Sequence, residues 1–157
     1  MLDPMREEDL PRVLEIERAS FSDPWSRASF LYEIRDNPFA ENIVLRDRVE
    51  AGRVVAYSCL WCIGAELHIN NVAVAPEERR QGLGRRLVQG ALDLGARRGC
   101  RSAVLQVRPS NEAALDLYHS LGFTVTGRRR RYYSDTREDA ILMSRRIDPP
   151  ISSGASP

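Results

Sequence analysis

The sequence predicts an α/β protein: a mixed, mostly antiparallel central sheet with flanking helices and one parallel strand pair. Three observations carry this. Short apolar runs of strand type, separated by tight turns, follow one another between residues 42 and 75. The last of them ends Val72-Ala73-Val74-Ala75-Pro76 and leads into a glycine-containing loop, an amphipathic helix and a further strand. That is a β-α-β unit, whose two strands run parallel. Finally, 157 residues with 43% hydrophobic and 29% charged content are enough for one domain with a real core.

The elements can be justified in order. Residues 1–5 suit a short edge strand. Asp9 is placed as an N-cap with Pro11 in the first turn, and Leu10, Val13 and Leu14 mark a first helix ending near Ser20. Phe21 to Ser26 is a loop with two large aromatics. Ser26 caps a second helix carrying Phe30, Leu31 and Ile34, and Asn37-Pro38 ends it. Strands are expected over 42–46, 53–62 and 66–75, with turns at Ala51-Gly52 and Gly64-Ala65. The helix after the loop presents Leu83, Leu87, Val88, Ala91 and Leu92 on one face and closes near Gly99. A buried-type strand covers 102–107. Ser110 is read as the cap of a helix with Ala113, Ala114, Leu117, Tyr118 and Leu121 on one face, and Gly122 as its C′ residue. A strand from Phe123 extends toward Tyr133, and residues 139–146 form the last one. The domain is read as 1–148, with 149–157 a small, polar, disordered tail.

Composition excludes several classes. The formal net charge of +1 argues against a general nucleic-acid binder. No apolar run approaches the roughly 20 residues of a membrane span, so no membrane partner is expected. The charged N-terminus does not read as a signal peptide, which points to the cytoplasm. Three cysteines are an odd number for a disulfide framework. Cys59 and Cys62 lie three apart in a strand, on opposite faces, and no second pair completes a metal site. Buried free thiols and no metal are expected.

The chemistry is concentrated at Arg79-Arg80-Gln81-Gly82-Leu83-Gly84-Arg85-Arg86. The first N–H groups of a helix lack internal partners and sit at the positive end of its dipole. Glycine admits a ligand close to that backbone, and the arginines add positive charge. The site suits a diphosphate. No Gly-Lys-Ser/Thr follows and no third glycine is present, so neither a Walker loop nor a dinucleotide fingerprint is meant.

The pattern Arg79-x-x-Gly82-x-Gly84, following Val72-Ala73-Val74-Ala75-Pro76, resembles the acetyl-CoA pyrophosphate loop of the GCN5-related N-acetyltransferase (GNAT) superfamily. The element order fits that fold along nearly the whole chain. Leu105 to Ala114 and Leu117 to Phe123 are similar to the signature of protein N-terminal acetyltransferases. With Phe21 to Ser26, Arg130 to Tyr133 and Glu138 to Ala140, the chain most resembles the bacterial ribosomal-protein-alanine N-acetyltransferases.

The resemblance implies transfer of acetyl from acetyl-CoA, as co-substrate, to the α-amine of a protein N-terminus, a ribosomal alanine. It implies that Val72, Ala73 and Val74 hold the pantetheine arm and acetyl carbonyl. Arg79 to Arg85 would take the diphosphate. Asn111 matches a cofactor contact, though it also suits a helix cap. Tyr118 matches the acid that protonates the leaving thiolate, though its apolar helix face suits a core tyrosine. At the position of Gln106 the ribosomal-protein enzymes carry a glutamate base; a neutral amide cannot replace it as base, but can orient a water or the amine. His68 is the substitute base expected here, assisted by Glu66 at the same strand parity or by Gln106. A free histidine, of pKa about 6.5, suits that task at neutral pH. Trp25, Tyr132 and Tyr133 are expected along the acceptor peptide. Two other readings stay open: acetylation of a lysine or small-molecule amine, and a catalytically weak CoA-binding regulatory module.

Overall fold

In the computed structural model, which describes residues 1–50 and 52–150, a seven-stranded sheet is covered on both faces by helices. The strands are β1 (Leu2–Pro4), β2 (Ile43–Arg46), β3 (Val54–Ile63), β4 (Glu66–Val74), β5 (Ser102–Val107), β6 (Thr124–Arg129) and β7 (Ala140–Arg146). The helices are α1 (Leu10–Ser20), α2 (Arg27–Arg35), α3 (Leu83–Arg97) and α4 (Glu112–Ser120). The spatial order is β1-β2-β3-β4-β5-β7-β6, and β4 with β5 is the parallel pair.

Each face has its own core. Phe30, Tyr57, Cys59 and Ala73 pack with α1 residues Leu10, Val13, Leu14 and Ile16 on one side. Leu60, Leu67, Ile69 and Leu105 pack with Leu87, Val88, Ala91 and Leu92 of α3, and with Tyr118 and Leu121 of α4, on the other. The expected alternation in β3 is realised: Cys59 belongs to the first core and Cys62 borders the second. All three thiols are free; Cys59 and Cys100 are buried as expected, whereas Cys62, near the end of β3, is only half-buried. Burial and the adjacent Cys100 thiol push Cys62 up to about 12.

Two departures from simple pairing create the site. First, Cys59 pairs with Asn71 while Leu60 pairs with Ile69, so Asn70 is an extra residue, a β-bulge in β4. The bulge resets side-chain parity: Ile69 points into the α3 core, whereas Asn71 reaches α1. Second, β4 pairs with β5 only from Glu66–Ser102 to Ile69–Leu105. Beyond the bulge the two strands part, and β5 continues against β7 as far as Val107–Ile141.

Several element ends differ from the expectations. Asp9 precedes α1 in helical conformation, with no side-chain cap. Its carboxylate is drawn to Arg46 at 2.9 and 3.0 Å, an ion pair that outcompetes capping. Helix α4 is capped by Asn111, whose Oδ1 accepts from Ala114 N at 3.2 Å, because Ser110 is engaged by Glu138. Ala113 is exposed rather than on the buried face. The strand from Phe123 stops at Arg129, well short of Tyr133. Arg131 adopts a left-handed φ of 48° and donates its N–H to the Asp139 carboxylate, which turns the chain out of the ladder. Ser26 does cap α2, and Gly122 takes the left-handed conformation after α4. The turn residue Ala51 and tail residues 151–157 lie outside the described residues.

Candidate active site

The parting of β4 and β5 joins two cavities. One, of about 910 Å³, lies toward α4 and contains Val72, Arg108, Asn111 and Tyr118. The other, of about 680 Å³, contains Trp61, Glu66, His68 and Arg129. Trp25, Asn70, Asn71, Gln106, Tyr132 and Tyr133 line both, and so mark the passage between them.

The glycine loop follows the end of β4, and Arg79 links it to Ser20 on the wall of the larger cavity. Pro76–Glu78 form a 3-10 turn and α3 starts at Leu83. Gly82 holds φ 77° and nothing lies within 4 Å of where its Cβ would be; its backbone, not its space, demands glycine. Arg80, at φ 66°, shares that geometry. Arg86 N bonds to Gly82 O, which starts the intrahelical ladder and leaves the N–H groups of Leu83, Gly84 and Arg85 at the helix start. Two of the four loop arginines, Arg79 and Arg85, turn their side chains to other partners. Arg79 turns back, donating to Val74 O and Ser20 Oγ at 3.2 Å each. Arg85 donates to Ser120 Oγ at 2.5 Å and ties α3 to the end of α4. Arg79 therefore braces the strand end rather than presenting charge to a phosphate. Beyond the bulge the β4 edge along Val72–Val74 lies open, since β5 no longer pairs there. The Ala73 side chain itself is buried on the α1 side.

Tyr118 is buried, edge-on to Phe123, and borders the cleft. Burial, with the neighbouring Tyr133, pushes its phenol up to about 12, so it holds its proton throughout the neutral range. Asn111 uses Oδ1 as a cap and still borders the cleft, so its two readings coexist. His68 Nε2 lies 2.8 Å from Glu66 Oε1. A carboxylate there fixes the imidazole with its proton on Nε2 and leaves Nδ1 as the basic nitrogen. His68 and Glu66 lie in the Trp61 cavity, and Gln106 stands in the passage. Of the predicted site residues, Trp25, Glu66, His68, Val72, Gln106, Asn111, Tyr118, Tyr132 and Tyr133 line the two cavities; Ala73, Val74 and residues 79–85 line neither, and Arg79 and Arg85 spend their side chains on structure.

Other residues escaped notice in the sequence. Glu17, 1% exposed, accepts from Trp25 N at 2.8 Å, from Asn71 Nδ2 at 3.3 Å and from the Tyr57 hydroxyl. Its signal was a carboxylate one turn beyond Val13 on the apolar face of α1. Glu33, which the sequence already offers on the second helix as a candidate at the acceptor end, accepts from Trp61 Nε1 and Asn37 Nδ2. Arg108 pairs with Asp135, and Ser110 with Glu138, pinning the loop between β6 and β7 over the cleft. Among the described residues no group of three or more His, Cys, Asp or Glu side chains is placed to hold a metal ion. No helix among them is long and apolar enough to cross a membrane.

A bulged strand parting from its parallel neighbour beside a glycine loop, with a protonated tyrosine across the gap, defines an acyl-transfer fold. The chain belongs to the GNAT acetyltransferase family, whose model matches residues 10–123. The ribosomal protein bS18-alanine N-acetyltransferase of Escherichia coli (strain K12) is 37% identical over 138 residues, covering 87% of this chain and 90% of that protein. The N-alpha-acetyltransferase RimI of Mycobacterium tuberculosis is 36% identical over 143 residues, covering 87% and 86%. The crystal structure of the ribosomal-protein-S18-alanine N-acetyltransferase from Escherichia coli superposes with a TM-score of 0.84 at 34% identity, covering 100% of this chain and 97% of that one.

Proposed function

We propose that the protein transfers the acetyl group of acetyl-CoA directly to the N-terminal α-amine of a ribosomal protein, an alanine. The observation that carries this is the passage at Gln106, where the Tyr118 cleft and the His68 cavity meet from opposite sides. Two reactants entering from the two sides would meet there without a covalent enzyme intermediate. The names of the relatives supply the acceptor class. A ribosomal acceptor implies a cytoplasmic enzyme whose partner is a protein rather than nucleic acid.

In this reading the diphosphate lies on the free N–H groups at Leu83 to Arg85, with Gly82 shaping the approach. Asn111 borders the cofactor, and the open edge of β4 at Val72–Val74 holds the pantetheine arm and polarises the acetyl carbonyl. Trp25, Tyr132 and Tyr133 flank the incoming peptide. An α-amine, of pKa about 7.7–8.0, is largely protonated at neutral pH and must lose a proton before attack. His68 Nδ1, oriented by Glu66, takes that proton through water, and Gln106 orients the amine or the water. Nitrogen attacks the thioester carbon, the C–S bond breaks, Tyr118 protonates the departing thiolate, and the second proton lost by the nitrogen restores Tyr118 through water.

Mass spectrometry of peptides incubated with acetyl-CoA tests the reading. A peptide beginning Ala-Arg should gain one acetyl at its α-amine; one with a blocked N-terminus and an internal lysine should not. Lysine acetylation would point to another amine, and no acetylation with CoA still bound would point to a regulatory module.

A further inference from the structure

Glu17 has no role in acetyl transfer as described above, yet its carboxylate is almost completely buried. Burying a carboxylate is costly unless hydrogen bonds replace its water. Here they come from three separate elements: Tyr57 on β3, Asn71 on β4 and the main chain of Trp25 in the loop after α1. A carboxylate only accepts, so Asn71 must turn its amide nitrogen toward Glu17 and its Oδ1 the other way. Among the described residues, Oδ1 receives no donor. Asn71 also lines both cavities beside Gln106, and the bulge at Asn70 is what points it there.

We infer that Asn71 Oδ1 accepts a hydrogen bond from the acceptor α-amine, and that Glu17 is the positioning residue that holds the amide in this sense. This rests on acetyl transfer to an α-amine. An ammonium or amine entering the passage carries only N–H groups at its head. With Gln106 in place of a carboxylate, the passage presents it with an amide acceptor whose orientation is set from behind by a buried charge. Glu17→Gln would reverse the instruction. The new amide NH₂ can face Asn71, whose own amide then turns over and offers N–H to N–H.

The test uses three variants, Asn71→Leu, Glu17→Gln and the double, against an Ala-Arg peptide, with acetyl-CoA affinity and thermal midpoint measured in parallel. Each single variant should lose about tenfold or more in peptide kcat/KM, the scale of one hydrogen bond to a charged group. Acetyl-CoA affinity should remain at the wild-type value. The double variant should lose no more than the worse single one, since Glu17 acts through Asn71. If Glu17→Gln fails to fold, Asn71→Leu decides alone. Wild-type peptide turnover with Asn71→Leu within twofold of it overturns the inference, as does a fully additive double variant. No peptide turnover by wild type would overturn the proposed function and this inference together, which the wild-type arm alone reveals.

Discussion

Arg108 lays its guanidinium over the ring of Tyr133, 3.9 Å from the centroid, and grips Asp135 through two hydrogen bonds of 2.9 and 3.0 Å. One side chain thus joins the end of β5 to the loop that roofs the passage. Asp135 also accepts from Ser22, so the loop after α1 is gathered into the same clasp.

Removing the clasp should therefore loosen peptide binding more than it destabilises the fold. Arg108→Ala is expected to raise peptide KM about three- to tenfold, the span of a partly exposed bidentate pair with a stacked cation. Acetyl-CoA affinity should change little. Steady-state kinetics at varied peptide and saturating acetyl-CoA measure both.

The clasp should also be acid-labile in a defined window. The hydrogen bonds from Arg108, then Ser22, hold the Asp135 carboxyl down at about 2. A carboxyl depressed in the folded state contributes stability that is whole above its unfolded value, about 3.9, and is lost as pH falls through the folded one. The loop is therefore expected to stay docked down to about pH 4 and to release between there and about pH 2. Tyr133 rests against Arg108, so its fluorescence or proteolysis of the loop at descending pH reports release. Asp135→Asn should remove the transition in that window.

Tyr118→Phe should lower kcat about 10²-fold, the lower range for a general acid, with peptide KM nearly unchanged. The ring packs on Phe123 and keeps that packing in the variant. Because burial pushes the phenol up to about 12, the acid form persists across the working range. The wild-type pH–rate profile should show no alkaline decline below about pH 10. A decline nearer neutrality that vanishes in Tyr118→Phe would contradict this assignment.

The parts of the molecule that local patterns describe were legible in the sequence. Ser102–Val107 and the helix starting at Leu83 follow from periodicity, and Ser26 and Gly122 from cap chemistry. The glycine loop, Tyr118 and Gln106 could be singled out as candidates because a motif keeps them in register; Tyr118 and Gln106 do line the cleft. What escaped depends on partners distant in the chain. Glu17 meets Tyr57 and Asn71 across 40 and 54 residues, and Asp9 meets Arg46 across 37. Nothing local in Asn70-Asn71 announces a bulge, because the extra residue is defined only against β3. The arginines of the loop were read by charge and motif, whereas their side-chain reach takes Arg79 to Ser20 and Arg85 to Ser120.

The two glycines of the loop should separate backbone need from ligand need. Gly82 is left-handed at φ 77° with open space around its Cβ position, so Gly82→Ala costs only backbone strain, about 1 kcal/mol. Gly84 is helical, and a Cβ there would stand 3.4 Å from Leu117 Cδ2 and 3.9 Å from Val74 Cγ2, ordinary contacts. Gly84→Ala should thus leave the thermal midpoint unchanged or raise it, since alanine is favoured over glycine in a helix by roughly 0.5–1 kcal/mol. Gly82→Ala should lower it by about 2–4 °C. If the N–H groups at the start of α3 bind the diphosphate, the methyl group of Gly84→Ala intrudes on that approach, and acetyl-CoA affinity drops although the protein is no less stable. Calorimetric titration with acetyl-CoA alongside thermal melts reads both quantities. A Gly84→Ala protein that is as stable as wild type and binds acetyl-CoA equally well would move the diphosphate away from this helix start.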